Sequence, residues 1–294
     1  MLWAVFTLIA AAAQTARNAM QRELTARLGT VGATHVRFLF GFPFALMFLA
    51  GVTIATEQGL PSPPPLFWPW VLAGALTQIA ATATMLSVMG ERSFVVSYAF
   101  IKTEPIHVAL FGLIFLGDRI APLSAMAILI ATAGVIVMSL KPGAGKVSTT
   151  RSTVIGIASG ALFGLSAIGY RGAILSLEHP SFVLAATFTV TVGLVIQAVL
   201  LSLYLTLRDP KVLRDIARAW KPSLFAGFMG AFASEFWFLA FAITTAANVR
   251  TLALVEVLFA QGVTRFVFKQ PTSAREIAGI VLVVAGVALL VWAY

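Results

Sequence analysis

Residues 104–138 read EPIHVALFGLIFLGDRIAPLSAMAILIATAGVIVM, and residues 256–292 read EVLFAQGVTRFVFKQPTSAREIAGIVLVVAGVALLVW. Each stretch opens with a glutamate in an apolar run and ends in a long apolar segment that contains Ala-Gly-Val. Shifting the chain by 152 residues, from 104 to 256, also aligns the two triplets and aligns Leu2 with Val154. Coincidence is the alternative, because Ala, Gly and Val are common here, but an internal duplication also explains the shared glutamate.

The chain is far more apolar than a soluble domain. Of its 294 residues, 60% are hydrophobic and 11% are charged, and the mean hydropathy is +0.96, whereas soluble domains are about 45–50% apolar. We therefore predict an all-α integral membrane protein. Its pI near 10.5 is typical of membrane proteins with basic loops, so we expect no nucleic-acid partner. The absence of cysteine removes disulfides and thiolate metal sites from consideration.

Apolar runs predict ten transmembrane helices. A hydrocarbon core about 30 Å thick needs roughly 20 apolar residues per helix, and Gly, Pro and charged clusters separate such runs. The first run, MLWAVFTLIAAAAQ, lacks the basic start of a signal peptide, so we predict that it is retained. The predicted segments are 2–22, 31–55, 66–89, 93–116, 120–140, 154–176, 181–207, 222–246, 248–268 and 274–293.

The polar stretch KPGAGKVSTTR, residues 141–151, divides these segments into two sets of five. We predict a first five-helix repeat at 1–140, a cytoplasmic connector at 141–153 and a second repeat at 154–294. Because five is odd, the two repeats must cross the membrane in opposite senses. Inverted repeats of this kind are typical of secondary transporters, whose binding site lies near the midplane between the halves.

Basic residues predict the orientation, because Lys and Arg concentrate in cytoplasmic loops. Sixteen of the 20 flank odd-numbered connections, whereas only Arg119, Arg171 and Arg250 flank the others. We therefore predict both termini on the periplasmic side of the cell inner membrane. Some of the sixteen could instead line a site, but the asymmetry is large enough to tolerate a few such cases. The sixteen are Arg17, Arg22, Arg27, Arg37, Arg92, Lys141, Lys146, Arg151, Arg208, Lys211, Arg214, Arg218, Lys221, Arg265, Lys269 and Arg275.

The predicted fourth segment carries FIKTEPIHV at residues 100–108, in an otherwise apolar run. Ionisable side chains inside a membrane are costly and usually face a cavity or a partner. Lys102 and Glu104 are two residues apart, so they point to different helix faces and each needs its own partner. Pro105 has no N–H to offer the Ile101 carbonyl, so we expect a kink there. Farther along, LRDPKVLRDIARAWK at 207–221 has the apolar spacing of an amphipathic helix on the cytoplasmic surface.

The two stretches quoted first resemble the drug/metabolite transporter superfamily, of the ten-helix EamA-like type, over the whole chain. The resemblance rests on an acidic residue with a proline in the fourth helix, an acidic turn, and a Gly-Val pair in the fifth helix. Asp118 is the turn acid of the first half, while Gln270 and Val257 replace the acid and the proline in the second. The chain is most similar to the YddG-type amino-acid exporters. This resemblance implies an alternating-access carrier with a cavity lined largely by helices 3, 4, 8 and 9.

Polar and aromatic residues of these four helices are the candidates for a binding site. One hypothesis has a lysine or arginine facing a substrate carboxylate and a glutamate facing its amine, between apolar walls. The alternative is that Lys102, Glu104, Arg250 and Glu256 form buried ion pairs that fix the packing of the two halves. The predicted substrate-binding residues are Gln78, Met85, Tyr98, Lys102, Glu235, Trp237 and Arg250. Residues with a predicted coupling or structural role are Glu104, His107 and Glu256, with Pro105 at the kink.

We predict a secondary transporter that exports small amphipathic metabolites, amino acids including aromatic ones, across the bacterial inner membrane. Charges of both signs beside aromatic walls favour zwitterions, while cationic drug-like compounds or other metabolites are the alternative. No HExxH, DDxxD or GxSxG motif points to an enzyme, and a channel would need polar rings along a continuous path. We expect no cofactor and no metal, and a functional monomer in the lipid bilayer.

Overall fold

The computed structural model of the chain describes residues 1–87, 99–139, 150–266 and 272–294. Within these ranges the chain forms helices joined by turns, without a β-strand. A helix satisfies its backbone N–H and C=O groups within one segment, which a membrane requires because it holds no water to do so. The predicted all-α class is confirmed for the described residues.

The helices are numbered here in chain order, and each half of the chain contributes several. In the first half, residues 1–139, they are α1 (Leu2–Leu39), α2 (Phe42–Thr56), α3 (Phe67–Ser87), α4 (Glu104–Phe111, continued by a π-helical turn Gly112–Leu116) and α5 (Pro122–Ser139). In the second half, residues 150–294, they are α6 (Thr150–Ser176), α7 (Phe182–Arg208), α8 (Pro210–Arg218), α9 (Trp220–Ile243), α10 (Ala246–Leu252), α11 (Glu256–Phe266) and α12 (Ala274–Trp292).

Eight helical segments among the described residues are long and apolar enough to cross a membrane. Their outward surfaces carry large apolar side chains; Ile54 and Trp292, for example, are each 78% exposed. Apolar surface on this scale is unfavourable in water and matches contact with lipid. A multi-pass membrane protein is thus confirmed, and the ten crossings stay a prediction.

The start of the chain differs from the prediction. We expected a loop at residues 23–30, whereas the helix runs on to a kink at Gly29 (φ 71°, ψ 175°), after which a second helix continues to Leu39. Glu23 and Arg27 are good helix formers at i,i+4 spacing, and their side chains form an ion pair of 2.6 Å. Polar residues therefore extend the first helix to the kink at Gly29, which still lies inside the predicted loop.

Two further boundaries bear on the predicted loops. The predicted connector at 141–153 overlaps the start of α6 at Thr150, and residues 140–149 lie outside the described ranges. The stretch 207–221 contains α8, in which Ile216 is buried and Arg214 is exposed. The amphipathic helix is thus present, and its location on the cytoplasmic surface stays a prediction.

The fourth segment is broken where it carries its charges. A helical turn at 99–101 gives way to a turn at Lys102 and Thr103, and α4 then begins at Glu104 with Pro105 in its first turn. Pro105 has no N–H for the carbonyl four residues earlier, so a continuous helix would lose a hydrogen bond here.

The ninth segment is broken at the equivalent place without a proline. Helix α10 ends at Leu252, a 3-10 turn spans Ala253–Val255, and α11 begins at Glu256. Val257 stands where the first half has a proline, so a missing N–H is not the cause of this second break. In both halves a glutamate is the first residue of the helix that follows the break.

The two halves pack against each other through equivalent helices. Helix α1 packs along α9 and α3 packs along α6, so the first helix of each half lies against the third-segment helix of the other. Helix α2 contacts α7, and α5 contacts α12. Two repeats related by a two-fold axis produce this reciprocal pairing of helices. The opposite orientation of the halves in the membrane stays a prediction.

Helices α5 and α12 touch backbone to backbone. A Cβ on Gly279 would lie 2.6 Å from the Cβ of Met138 and 2.7 Å from the carbonyl oxygen of Gly134. A Cβ on Gly286 would lie 2.6 Å from the backbone nitrogen of Ala131. Small residues allow membrane helices to approach this closely, so the Ala-Gly-Val triplets that indicate the repeat also lie in a contact between the halves.

Helix α6 approaches the fourth segment in the same way. A Cβ on Gly160 would lie 2.9 Å from the carbonyl oxygen of Ile101, and one on Gly164 would lie 3.2 Å from the Cβ of His107. The Ile101 carbonyl, which the kink at Pro105 releases from its helical partner, therefore packs against α6.

We expect Gly279→Ala to destabilise the protein, although Gly→Ala inside a helix normally stabilises it by about 0.5–1 kcal/mol. The added Cβ would meet Met138 and Gly134 at less than 3.0 Å, so α5 and α12 would have to separate, at a cost on the order of 1–3 kcal/mol. Thermal unfolding of the purified protein in detergent measures the change.

Gly51→Ala is the matched control, because a Cβ on this helical glycine has no atom within 4 Å. Its unfolding temperature should equal or exceed that of the unmodified protein. A Gly279→Ala variant as stable as Gly51→Ala would contradict the close contact between α5 and α12.

Candidate functional site

A small polar cavity lies where segments of the two halves meet. Its free volume is about 40 Å³, which holds only a few water molecules. An amino-acid-sized molecule therefore requires the walls to move apart. The cavity is lined by Gln14, Arg17, Asn18, Arg37, Gln78, Met85, Ile101, Lys102, Glu104, Phe163, Trp237 and Arg250.

Most of the predicted binding residues are brought together here. Five of them line the cavity, namely Gln78, Met85, Lys102, Trp237 and Arg250. Glu104 lies among them, and Glu256 contacts Lys102. Tyr98 lies outside the described residues. The roles of these side chains in binding stay predictions.

Lys102 forms an ion pair with Glu256 of the other half. Lys102 lies at the break before α4 and Glu256 begins α11, so the pair joins the two broken segments. Both side chains are buried. A buried charge that loses its partner is strongly unfavourable, so each of these residues depends on the other.

Glu104 and Arg250 form a second pair between the halves. The Nε of Arg250 lies 3.0 Å from Oε1 of Glu104, although the two atoms are not aligned for a hydrogen bond, so the attraction is mainly between charges. The guanidinium of Arg250 also lies over two aromatic rings, 4.7 Å from the centroid of Trp237 and 5.3 Å from that of Phe241. Such cation–π contacts stabilise a cation away from water.

Gln14 of α1 connects the two pairs. The indole Nε1–H of Trp237 donates to Oε1 of Gln14 at 3.2 Å, and Nε2 of Gln14 donates to Oε2 of Glu256 at 3.0 Å. These contacts form a series that runs from Glu104 to Lys102 across both halves, and the backbone between these two residues completes it. We call it the polar ring, and its members are Lys102, Glu104, Arg250, Trp237, Gln14 and Glu256.

The contacts of the polar ring bear on both interpretations of these charges. Lys102 and Glu104 have separate partners, as their two-residue spacing requires. Each partner belongs to the other half, which matches the ion-pair alternative rather than a pair of glutamates waiting for a substrate amine. Lys102, Glu104 and Arg250 nevertheless line the cavity, so the same side chains both join the halves and face the space between them.

Gln78 is held by a second hydrogen-bond network. Its Oε1 accepts from the Tyr170 hydroxyl at 3.2 Å and from Nε2 of Gln197 at 2.9 Å. Nε2 of Gln197 also donates to the carbonyl oxygen of Ala75 at 3.2 Å, which fixes the orientation of both amides. The Nε2 donor of Gln78 is therefore the end that remains to face the cavity.

Glu235 and His107 lie elsewhere. Glu235 is buried against α7 and accepts a hydrogen bond from the Thr187 hydroxyl at 2.5 Å. His107 places its Nδ1 3.1 Å from the Thr103 carbonyl oxygen. Glu235 is not among the described residues that line the cavity, and its contact with a substrate amine stays a prediction. In the part of the chain that the structure describes, no three His, Asp or Glu side chains form a metal-ligating group.

Sequence reasoning missed the contribution of the first two segments. Gln14, Arg17, Asn18 and Arg37 line the cavity. The count of cytoplasmic loop charges includes Arg17 and Arg37, which is wrong for these two, because both are buried. A signal was available: residues 14, 17 and 18 have the i, i+3, i+4 spacing of one helix face, and a polar face on an apolar helix indicates a cavity. Phe163 of α6 had no such signal.

A family model matches the chain twice, over residues 1–140 and 151–292. The chain belongs to the EamA-like transporter family. The predicted resemblance is thereby confirmed at the level of the family, and this EamA-like protein is a membrane transporter. No curated protein matches the chain.

One solved crystal structure shares 16% sequence identity with this EamA-like protein and aligns with a TM-score of 0.70. The alignment covers 98% of this chain and 96% of the other. At this identity the likeness shows the fold alone.

We expect Lys102→Met to lower the free energy of unfolding by roughly 3–5 kcal/mol, because it leaves the Glu256 carboxylate buried without its cation. The double variant Lys102→Met/Glu256→Gln should recover much of this loss, because the uncompensated charge is gone. Unfolding of both single variants and of the double variant in one detergent gives the coupling free energy.

The exposed pair Asp215 and Arg218, 3.4 Å apart, is the control. Its double-mutant cycle with Asp215→Asn and Arg218→Met should give a coupling within about 0.5 kcal/mol of zero. Additive losses at Lys102 and Glu256 would show that the two side chains do not depend on each other.

Proposed function

We propose that this EamA-like protein is an alternating-access carrier that exports small amphipathic metabolites, including aromatic amino acids, across the cell inner membrane. The observation that carries the proposal is a polar cavity of about 40 Å³ between the two halves, bordered by contacts that cross from one half to the other. A carrier of inverted repeats binds its substrate at this place. The polar ring supplies contacts that can break and re-form when the cavity opens.

The lining of the cavity supports an amphipathic substrate. Met85, Phe163 and Trp237 offer apolar surface, while Arg37 and Gln78 offer hydrogen-bond donors. Pockets for small metabolites combine apolar walls with a few polar groups that fix orientation. Carboxylates of amino acids match the donors, and aromatic side chains match the walls.

Cationic drug-like compounds are the weaker candidate. Four cationic residues line the cavity, namely Arg17, Arg37, Lys102 and Arg250, with Glu104 as the acidic residue among the described lining. Glu104 is already paired with Arg250. A cation entering this space would meet like charges at short range, which is unfavourable in a medium of low dielectric.

The proposed arrangement in the membrane follows the charges that remain in loops. Removing the buried Arg17, Arg37, Arg171 and Arg250 leaves fourteen basic residues flanking odd-numbered connections against one. This asymmetry supports a cytoplasmic connector at 141–153 between inverted repeats at 1–140 and 154–294, with both termini periplasmic. One chain contains both halves of the cavity, so the functional unit is a monomer.

We expect saturable counterflow of labelled phenylalanine in proteoliposomes that are preloaded with unlabelled phenylalanine. Methionine and threonine should compete, and a cationic dye should not. Trp237→Ala should raise the half-saturation concentration by about three- to tenfold, because the indole of Trp237 forms an apolar wall and positions Gln14.

Trp220→Ala is the matched control, because Trp220 is exposed on the outer surface. It should leave counterflow unchanged. Dye counterflow without amino-acid counterflow would contradict the proposed substrate class and support the cationic alternative.

A further inference from the structure

Arg37 is a buried cation with few stabilising polar contacts among the described residues. Only 4% of its surface is exposed. Within the described part of the chain, its one hydrogen bond to a side chain is long, from Nη2 to the Ser234 hydroxyl at 3.5 Å, and its Nε has no partner there. Among the described residues no carboxylate lies within ion-pair distance of it. Its guanidinium lies 5.3 Å from the Phe38 ring centroid and lines the cavity.

A guanidinium in this position is poorly compensated. Burial removes the water that would stabilise the charge, and one weak hydrogen bond replaces little of it. Arginine presents its donors as a rigid, planar fork that fits a carboxylate with two parallel hydrogen bonds. An anionic group that enters the cavity would therefore find a partner at Arg37.

The carboxylates near the cavity, unlike Arg37, already have partners of opposite charge. Glu104 is engaged by Arg250, and Glu256 is engaged by Lys102 and Gln14. An ammonium group would have to displace one of these cations to bind, at the cost of leaving that cation unpaired. The described lining thus offers a ready partner for a carboxylate, whereas the carboxylates named above are already engaged by cations.

Other donors point to the same chemistry. Nε2 of Gln78 remains to face the cavity, because its Oε1 is occupied by Tyr170 and Gln197. Arg17 adds a second guanidinium to the lining and donates from Nη2 to Asn18 at 2.8 Å. Hydrogen-bond donors therefore lie beside the positive charge, as recognition of an anion requires.

We propose that Arg37 is the docking residue for the carboxylate of the substrate, and that the carrier therefore accepts aromatic monocarboxylates that have no amino group. The inference rests on the proposed carrier function and narrows its substrate class. Recognition comes from the carboxylate at Arg37 and from the apolar body against Met85, Phe163 and Trp237. The amino group of an amino acid is tolerated and adds no affinity.

Three probes share the phenylethyl skeleton and differ in their polar groups, so together they separate the contribution of the carboxylate from that of the amino group. They are phenylalanine, its deaminated analogue 3-phenylpropanoate, and its decarboxylated analogue 2-phenylethylamine. The readout is the ligand-dependent rise in the unfolding temperature of the purified full-length protein in detergent. 3-Phenylpropanoate should raise that temperature at least as much as phenylalanine at equal concentration, and 2-phenylethylamine should leave it unchanged.

Two substitutions of Arg37 distinguish docking from a structural role. Arg37→Gln should weaken the 3-phenylpropanoate response about tenfold or more in apparent affinity, because it removes the charged hydrogen bonds. Without ligand, the same variant should unfold at an equal or higher temperature, because an uncompensated buried charge is gone. Arg37→Lys should retain part of the response, since it keeps the charge and loses the fork.

Arg214→Gln is the matched control, because Arg214 is exposed on α8. It should keep the full response to 3-phenylpropanoate. A response to 3-phenylpropanoate that survives Arg37→Gln, or an Arg37→Gln variant that unfolds at a much lower temperature with its ligand response intact, would overturn the assignment.

The outcomes separate this inference from the proposed function. Stabilisation by phenylalanine together with phenylalanine counterflow, but no response to 3-phenylpropanoate, would overturn the inference and leave the amino-acid carrier standing. An Arg37-dependent response to 3-phenylpropanoate without phenylalanine counterflow would support the inference and contradict amino-acid export. Stabilisation by 2-phenylethylamine alone would contradict both.

Discussion

The polar ring is the contact on which the rest of the structure depends. Two ion pairs, Lys102 with Glu256 and Glu104 with Arg250, join the broken fourth and ninth segments across the interface between the halves. A helix break inside a membrane frees backbone groups and is tolerated only where protein or a water-filled cavity covers it. Here the break positions each glutamate at the start of a helix, where the partial positive charge of the helix N-terminus also favours a carboxylate. The helix breaks therefore position the glutamates of the polar ring, and the ring in turn covers the backbone at the breaks.

The proposed carrier function needs no separate moving part. Equivalent helices of the two halves pack against each other, and the described residues that line the cavity come from both halves. Buried ion pairs contribute little net stability compared with apolar packing of similar volume, yet they are costly to leave half-formed. Such pairs favour discrete arrangements over intermediate ones, which suits a carrier that opens to one side at a time. The close contact of α5 with α12 at Gly134 and Gly279 can hold the halves together while the cavity walls move.

Much of this follows from the sequence and some does not. The duplication, the helical class and the need of Lys102 and Glu104 for separate partners follow from spacing and from the cost of burying charge. The identity of those partners depends on which helices of the two halves meet, which a single sequence does not encode in its periodicity. Arg37 was missed because a basic residue near a helix end fits the rule for loop charges equally well. The contact of Glu235 with Thr187 could not be predicted, because one glutamate in an apolar helix does not reveal which neighbour that face contacts.

In the proposed carrier the contacts of the polar ring break when the cavity opens, so the ring determines which side of the membrane the cavity faces. The chain contains no cysteine, so Met85→Cys places a single thiol in the lining without touching the ring. The most direct measurement is the rate at which a membrane-impermeant thiol reagent modifies this cysteine from each side of oriented vesicles, with the ring intact and with Lys102→Met/Glu256→Gln. The account predicts that breaking the ring raises the rate from one side and lowers it from the other. Rates that do not change, or that rise together from both sides, would contradict it.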